Sequence, residues 1–323
     1  MSYANWAILQ PSVVGDFTRE IPRGKISLTN LLAITLKEPV MENIELDGGH
    51  CRLCGGNVVR RFEKIILRTY RVAYWECSQC ESLQPDFPYW LERSYSREFC
   101  ATDTGAARRS ILNSMNLAAI FTALQVDPKL RCVDWGGGNG LLVRLMRDMG
   151  YEFLLYDKYA NNEYCIGLTL NDTQSDFSAS VVTCFEVFEH FSDPAGSIDD
   201  IFRLNPDVVI IQTSPYQKQN NDWTYLSAES GQHVFFYSWK AMYRIAEKYG
   251  MKLMTVGQFF LLYREKPTTL NYTDANILSL KALHEDYPRR LNEGLVAFAN
   301  ARCVLGDTDA AIIMDMIYSE NKS

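Results

Sequence analysis

Apolar residues in this chain of 323 amino acids fall into short runs broken by polar turns, and beyond residue 105 runs of two lengths alternate. Runs too short for a helix and rich in β-branched residues predict strands at 131–135, 152–156, 165–169, 181–187, 207–213, 252–256 and 258–264. Longer stretches with helical spacing predict helices at 106–124, 139–149, 194–203 and 238–249, with a short or missing one between residues 158 and 163. Strands alternating with helices make this an α/β chain with a Rossmann-like parallel sheet, and the closely spaced last pair of strands reads as an antiparallel hairpin at one sheet edge.

Outside this core the pattern is weaker. Residues 1–49 form an extension without repeat or period, 50–82 form a small module, and 83–104 are a polar, aromatic connector. Residues 105–266 form the α/β domain, and 267–323 a polar tail with helical stretches near 273–285 and 287–302. A chain of this length buries about three quarters of its unfolded surface, enough for one full α/β domain and a small module.

The net charge of -7 argues against a nucleic-acid partner, which normally leaves a basic footprint. No apolar run is long enough to span a membrane and no export signal opens the chain, so a soluble, cytoplasmic protein is expected. Nine cysteines in such a chain do not suggest a disulfide framework. Four of them form two C-x-x-C pairs, Cys51 with Cys54 and Cys77 with Cys80. Each knuckle turn presents two thiolates, and two knuckles close a tetrahedral zinc site with no open position. The strands expected at 57–62 and 70–75 between them make the module a zinc ribbon with a structural ion.

The chemistry concentrates at strand ends. Val133-Asp134-Trp135-Gly136-Gly137-Gly138-Asn139-Gly140 reads as a strand, a turn too tight for side chains, and a helix start. Asp157 follows the next strand, where a carboxylate suits a ribose hydroxyl pair, so a nucleoside cofactor is expected at the carboxyl edge of the sheet. A dinucleotide fingerprint would need a third glycine where Leu141 stands, and no P-loop Gly-Lys-Ser/Thr follows. Further on, Glu186, Glu189 and His190 cluster at the end of the fourth strand, and His233 precedes Ser238, a candidate helix N-cap. His50 and His284 read as surface residues.

These segments resemble the class I S-adenosylmethionine (SAM)-dependent methyltransferases of the domain 23 type, many of which carry an N-terminal zinc ribbon and accompany sugar, polysaccharide and secondary-metabolite genes. The resemblance covers roughly residues 50–265. It implies that Asp134, Gly136, Gly138 and Gly140 line the SAM pocket, that Asp157 holds the ribose, and that Glu186 to His190 face the transferring methyl. The short stretch after Asp157 departs from the fuller pattern and leaves the adenine contact to guesses such as Asn171 or Asp176.

The E-x-x-E-H pattern with a later H-x-F-x-x-S also resembles small-RNA 2′-O-methyltransferases, in which the equivalent residues hold a divalent ion. That likeness implies a mixed oxygen and nitrogen site of Glu186, Glu189, His190 and His233 for Mg²⁺, Mn²⁺ or Zn²⁺. His190 acting alone as base, or a merely structural cluster, are the competing readings. Trp223 and Tyr225 in the long loop after the fifth strand are candidate substrate contacts, with core packing as the alternative, while Phe235, Phe236 and Tyr237 read as core.

The expected function is methyl transfer from SAM to a hydroxyl of a sugar or glycan-linked small molecule. Two other functions compete. One is an RNA methyltransferase gripping RNA with the ribbon's Arg52, Arg60, Arg61, Lys64, Arg68 and Arg71; the other is a non-catalytic SAM-binding scaffold. Neither the acceptor nor the oligomeric state is legible.

Overall fold

The computed structural model describes residues 49–95, 105–172 and 177–285. Its centre is a six-stranded sheet in the order β5-β4-β6-β7-β9-β8. Strands β4 (Cys132–Trp135), β5 (Phe153–Tyr156), β6 (Val181–Phe185) and β7 (Val208–Gln212) run parallel. Strands β8 (Lys252–Val256) and β9 (Phe259–Tyr263) form the antiparallel hairpin at one edge, with β9 against β7.

Period-2 alternation feeds a core on each face. From β7, Val208 and Ile210 enter one core while Val209 and Ile211 enter the other. The first core packs under α2 (Ala106–Leu124), α3 (Leu141–Asp148) and α6 (Asp274–Glu285) through Leu117, Phe121, Leu142, Met146 and Leu280. The second packs under α4 (Pro194–Arg203) and α5 (Trp239–Lys248) through Ile198, Ile201, Met242 and Ile245. Asp193 caps α4 by accepting the Gly196 N–H at 3.1 Å, and Pro194 supplies the preset first turn. Ser238 caps α5 through the Ala241 N–H at 3.0 Å, as its position predicts.

The strand expected at 165–169 does not form. Asn162 folds back on Cys165, accepting its N–H at 2.8 Å and donating to its carbonyl at 2.7 Å, and this turn bends the chain out of extension. The run meets the sheet at its end alone, where Leu168 O accepts the Leu155 N–H at 2.9 Å and Thr169 forms an isolated bridge to Leu155. In the tail, α6 matches the helix expected at 273–285; the stretch at 287–302 lies outside the described residues.

Three strands build the small module: β1 (Val58–Ile66), β2 (Tyr70–Cys77) and β3 (Leu83–Pro85). The third strand falls in the stretch read as connector. It is followed by the single turn α1 (Leu91–Ser94), whose neighbour Trp90 donates from its indole to the Gly231 carbonyl at 2.8 Å. Cys51, Cys77 and Cys80 are buried in the same core as Phe235, Tyr237 and Ala241, so the module shares its packing with the α/β domain. Among the described residues no helix is long and apolar enough to cross a membrane.

At the foot of β7 the fully buried Asp207 accepts the N–H groups of Thr268, Thr269 and Leu270 at 2.7, 2.6 and 2.9 Å. Burial alone would raise this carboxyl, but those backbone donors outweigh it and hold it below the ordinary value. Such a group stabilises the fold above the unfolded pKa, and the contribution is lost as pH falls through the lower folded value. Asp207→Asn should therefore lower urea stability by about 2–4 kcal/mol at pH 7, and its deficit should shrink as the pH falls below about 4.

Candidate active site

Two neighbouring stretches of the sheet's carboxyl edge carry the candidate chemistry. The first is the turn between β4 and α3. Gly136, Gly138 and Gly140 all have positive φ there, at 72°, 61° and 89°. A side chain at Gly136 would strike Val187 and one at Gly140 would press on Cys165, whereas Gly138 faces open space. Gly136 accordingly lets the turn pass close to the end of β6. Gly138 offers bare main chain on its open side, as a bound nucleoside requires.

Asp157 stands opposite at the end of β5. Its carboxylate accepts Gly138 N–H at 2.9 Å on one oxygen, and Tyr159 and Ala160 N–H at 2.8 Å each on the other. A carboxylate has about four acceptor sites, so a fixed, half-buried oxygen pair still has room for a hydroxyl donor. Asp134 is placed differently from a pocket-lining group: it lies buried under the turn and accepts the Thr183 hydroxyl at 2.6 Å. A Cβ at Gly137 would sit 2.3 Å from its other oxygen, so the carboxylate supports the turn from below. Asn171 lies in a short 3₁₀ turn after the bend at Cys165, and Asp176 is outside the described residues.

The second stretch follows β6. Glu186 takes left-handed backbone geometry, with φ of 53°, and so breaks the strand. The 3₁₀ turn at Phe188–His190 then buries Glu189 completely. The Glu189 carbonyl accepts both Val234 N–H, at 2.7 Å, and Phe235 N–H, at 3.1 Å, and this draws the His233 segment alongside. Glu189, His190 and His233 consequently present ligand atoms within 4.8 Å of one another. Glu186 lies outside that set of three, although its charge acts on Tyr225.

Each member of the set has a defined partner. His233 Nδ1 lies 2.6 Å from the Tyr225 carbonyl; a carbonyl only accepts, so Nδ1 carries the proton and Nε2 is bare in the neutral ring. His190 Nδ1 lies 3.0 Å from the Tyr95 hydroxyl. The Tyr225 hydroxyl donates to Glu189 Oε1 at 2.7 Å. Burial, followed by the charges of Glu189 and Glu186, pushes the Tyr225 phenol far above its usual range, so it remains a donor. Glu189 Oε2 is buried without a hydrogen-bond partner. A buried carboxylate oxygen left unpaired is costly, and a cation bound at this cluster would reduce that cost.

Tyr225 thus supports Glu189, while Trp223 packs among Tyr216, Tyr225 and Phe236. Phe235, Phe236 and Tyr237 are buried core residues. Tyr95 was not singled out in the sequence; it precedes His190 by 95 positions and carries no local motif. His50 and His284 are exposed and lie apart from the set of three.

The four knuckle cysteines also converge. Cys51 and Cys80 sulfurs are 3.6 Å apart, and those of Cys54 and Cys77 are 3.5 Å apart. A tetrahedral ion with Zn–S bonds of about 2.3 Å needs sulfurs roughly 3.8 Å apart. Gln79 and Cys80 N–H groups point at the Cys77 sulfur, at 3.3 and 3.4 Å, as donors suited to a thiolate. These four residues could hold zinc.

The ribbon's basic residues are engaged within the chain. Arg60 and Arg71 pair with Glu63, Arg61 with Glu76 and Arg68 with Glu229, while Lys64 donates to the Asn221 carbonyl. They do not form an unpaired basic face for a phosphate backbone.

The Asp134 carboxyl generates a pH prediction. Burial pushes it up to about 7, with the Asp157 charge adding to the rise and the Thr183 hydroxyl opposing it. The unfolded chain therefore gives up this proton first as pH rises, and ligand-free stability falls between about pH 4 and pH 7. Asp134→Asn should flatten that slope in urea midpoints measured across the same range. An unchanged slope would place the titrating group elsewhere.

Residues 107–256, just under half of the chain, match a family model described as "Methyltransferase domain". No curated protein sequence matches the chain. Similar solved structures include magnesium protoporphyrin IX methyltransferase (ChlM) from Synechocystis PCC 6803 with bound SAH, at 16% identity and TM-score 0.37, covering 54% of this chain and 92% of that one. The plantazolicin methyltransferase BamL, in complex with a triazolic desmethylPZN analog and SAH, is 12% identical with TM-score 0.39, covering 66% and 88%. CalO1, a methyltransferase in calicheamicin biosynthesis, is 15% identical with TM-score 0.32, covering 46% and 53%. Likenesses this distant say nothing about the acceptor. The family match, on the Rossmann-like sheet described above, supports SAM-dependent methyl transfer as the activity of residues 107–256.

Proposed function

We propose that the chain transfers a methyl group from SAM to a hydroxyl of a sugar or glycan-linked small molecule. The observation that carries this reading is the placement of both candidate sites at one sheet edge. The glycine turn and Asp157 end β4 and β5, and the Glu189–His190 turn follows the adjacent β6. Val187, which directly precedes the 3₁₀ turn at Phe188–His190, backs Gly136, so the two sites are one contact apart.

When bound, SAM supplies an activated methyl on a sulfonium centre. The chain's own part is to hold the adenosyl group on bare main chain at Gly138, to accept a ribose hydroxyl on Asp157, and to align the acceptor oxygen. A hydroxyl is a poor nucleophile at neutral pH, so it must lose its proton as the O–C bond forms and the S–C bond breaks. His190 is suited to take that proton at Nε2 when Nδ1–H donates to Tyr95. His233 and Glu189 offer ligand atoms to the same small space as His190. In a second reading, a divalent ion (Mg²⁺, Mn²⁺ or Zn²⁺) held by Glu189, His190 and His233 would replace His190 as the activating group, lowering the hydroxyl's pKa and fixing its orientation. Trp223 and Tyr225 border this side and offer aromatic faces to a sugar.

We assign a structural role to zinc at Cys51, Cys54, Cys77 and Cys80, and a cytoplasmic setting fits the free thiols. The RNA reading loses support because the ribbon's Arg60, Arg61, Arg68 and Arg71 each stand beside a carboxylate on the surface, which offsets their charge.

Incubation with methyl-labelled SAM and a panel of nucleotide sugars, glycans and RNA should label a sugar hydroxyl. Label entering RNA alone would overturn the choice of acceptor. Asp157→Ala should weaken SAM binding by about tenfold or more, a loss of at least about 1.4 kcal/mol. His233→Ala should leave SAM binding intact and lower turnover about 10²–10⁴-fold. The opposite pattern would reverse the two halves of the site.

A further inference from the structure

Three elements distant in sequence meet along the segment 231–238. On one side, Val234 and Phe235 donate to the Glu189 carbonyl. On the other, Phe236 exchanges hydrogen bonds with Leu83 of the ribbon, at 2.8 and 3.0 Å. Ser238 donates its hydroxyl to the Cys80 carbonyl of the second knuckle.

The first knuckle reaches the same place through Arg52, which stands between Cys51 and Cys54. Its guanidinium donates to the Val234 carbonyl at 2.6 Å, 182 positions away, and to the Ser192 carbonyl at 3.1 Å. Pro85 O accepts a third, longer contact at 3.4 Å. The backbone under this side chain is itself anchored, because Arg52 N–H donates to Gln84 Oε1 at 2.9 Å and Gln84 donates onward to the His50 carbonyl. Val234 directly follows His233, and Ser192 lies two residues beyond His190.

We propose that Arg52 is a positioning residue through which the four-cysteine knuckle sets the separation of His190 and His233. The proposal rests on these two histidines serving the acceptor side of the methyl-transfer site. A planar fork with several fixed donors can hold two carbonyls on different segments at once. Lysine, a single ammonium on a flexible stem, cannot hold both in the same geometry. Ion and hydroxyl alignment depend on the imidazole separation, so the ribbon is part of the acceptor site although none of its residues need touch the acceptor.

The test uses full-length, zinc-loaded protein with ¹⁵N-labelled imidazoles. The chain has four histidines, and exposed His284 on α6 serves as an internal control. In Arg52→Gln and Arg52→Lys the zinc content and SAM affinity should match wild type. The His190 and His233 signals should move while His284 stays fixed. Once an acceptor is known, kcat should fall about 10- to 100-fold with KM for SAM unchanged.

Unmoved His190 and His233 signals at full zinc content would overturn the proposal. Loss of zinc from both variants would also overturn it, because Arg52 would then serve the knuckle alone. If neither variant folds, stepwise zinc withdrawal from the cysteine site of the Glu189→Gln variant, first shown by metal analysis to hold a single zinc, decides: the same two signals should shift with His284 steady, and constant signals would refute the coupling. Failure of wild type to bind SAM would instead sink the methyl-transfer reading, and the NMR result on Arg52 would still stand by itself.

Discussion

The Glu189 main chain holds together the proposed acceptor side of the site. Its carbonyl takes two N–H groups from Val234 and Phe235, and this shared acceptor, together with the Arg52 fork on Ser192 and Val234, keeps His233 beside His190. The left-handed turn at Glu186 makes this possible by ending β6 and folding the following residues back across the sheet edge. A non-glycine residue in that geometry carries about 1–2 kcal/mol of strain, which the packing of Phe188 and the buried hydrogen bonds must offset. The ribbon supports the arrangement from outside, because Leu83 pairs with Phe236 and Arg52 grips Val234.

Electrostatics divides the edge into two halves with different needs. On the proposed donor side, Asp157 accepts three backbone N–H groups and keeps a fixed place, while buried Asp134 is pushed up to about 7 and braces the turn from beneath. On the proposed acceptor side, Glu189 is buried with one oxygen held by Tyr225 and the other without a hydrogen-bond partner, and its carboxylate and two imidazoles lie together. The first half suits a neutral ribose, and the second suits a cation or a proton in transit. A methyl-transfer site needs that contrast, because the donor is only held in place while the acceptor must be deprotonated.

Much of this was legible in the sequence where the signal was local. The runs for β4, β5, β6, β7 and the β8–β9 hairpin stand out by period and β-branched content, and the glycine turn by spacing alone. The run at 165–169 misled because its apolar residues pack as a bend, held by an Asn162 side chain whose preference no periodicity reports. Glu186, Glu189, His190 and His233 read as one group, yet among the described residues the last three alone gather their ligand atoms within 4.8 Å. Asp134 looked like a pocket residue because it opens the glycine motif, and only burial shows that it lies underneath. Tyr95, Arg52 and strand β3 act across 95 to 182 positions, a range at which pattern carries no information.

Calorimetric titration of the purified chain with S-adenosylhomocysteine tests the central claim most directly. The account predicts saturable uptake at a single site, competed by SAM. A chain that takes up neither compound while folded would contradict it.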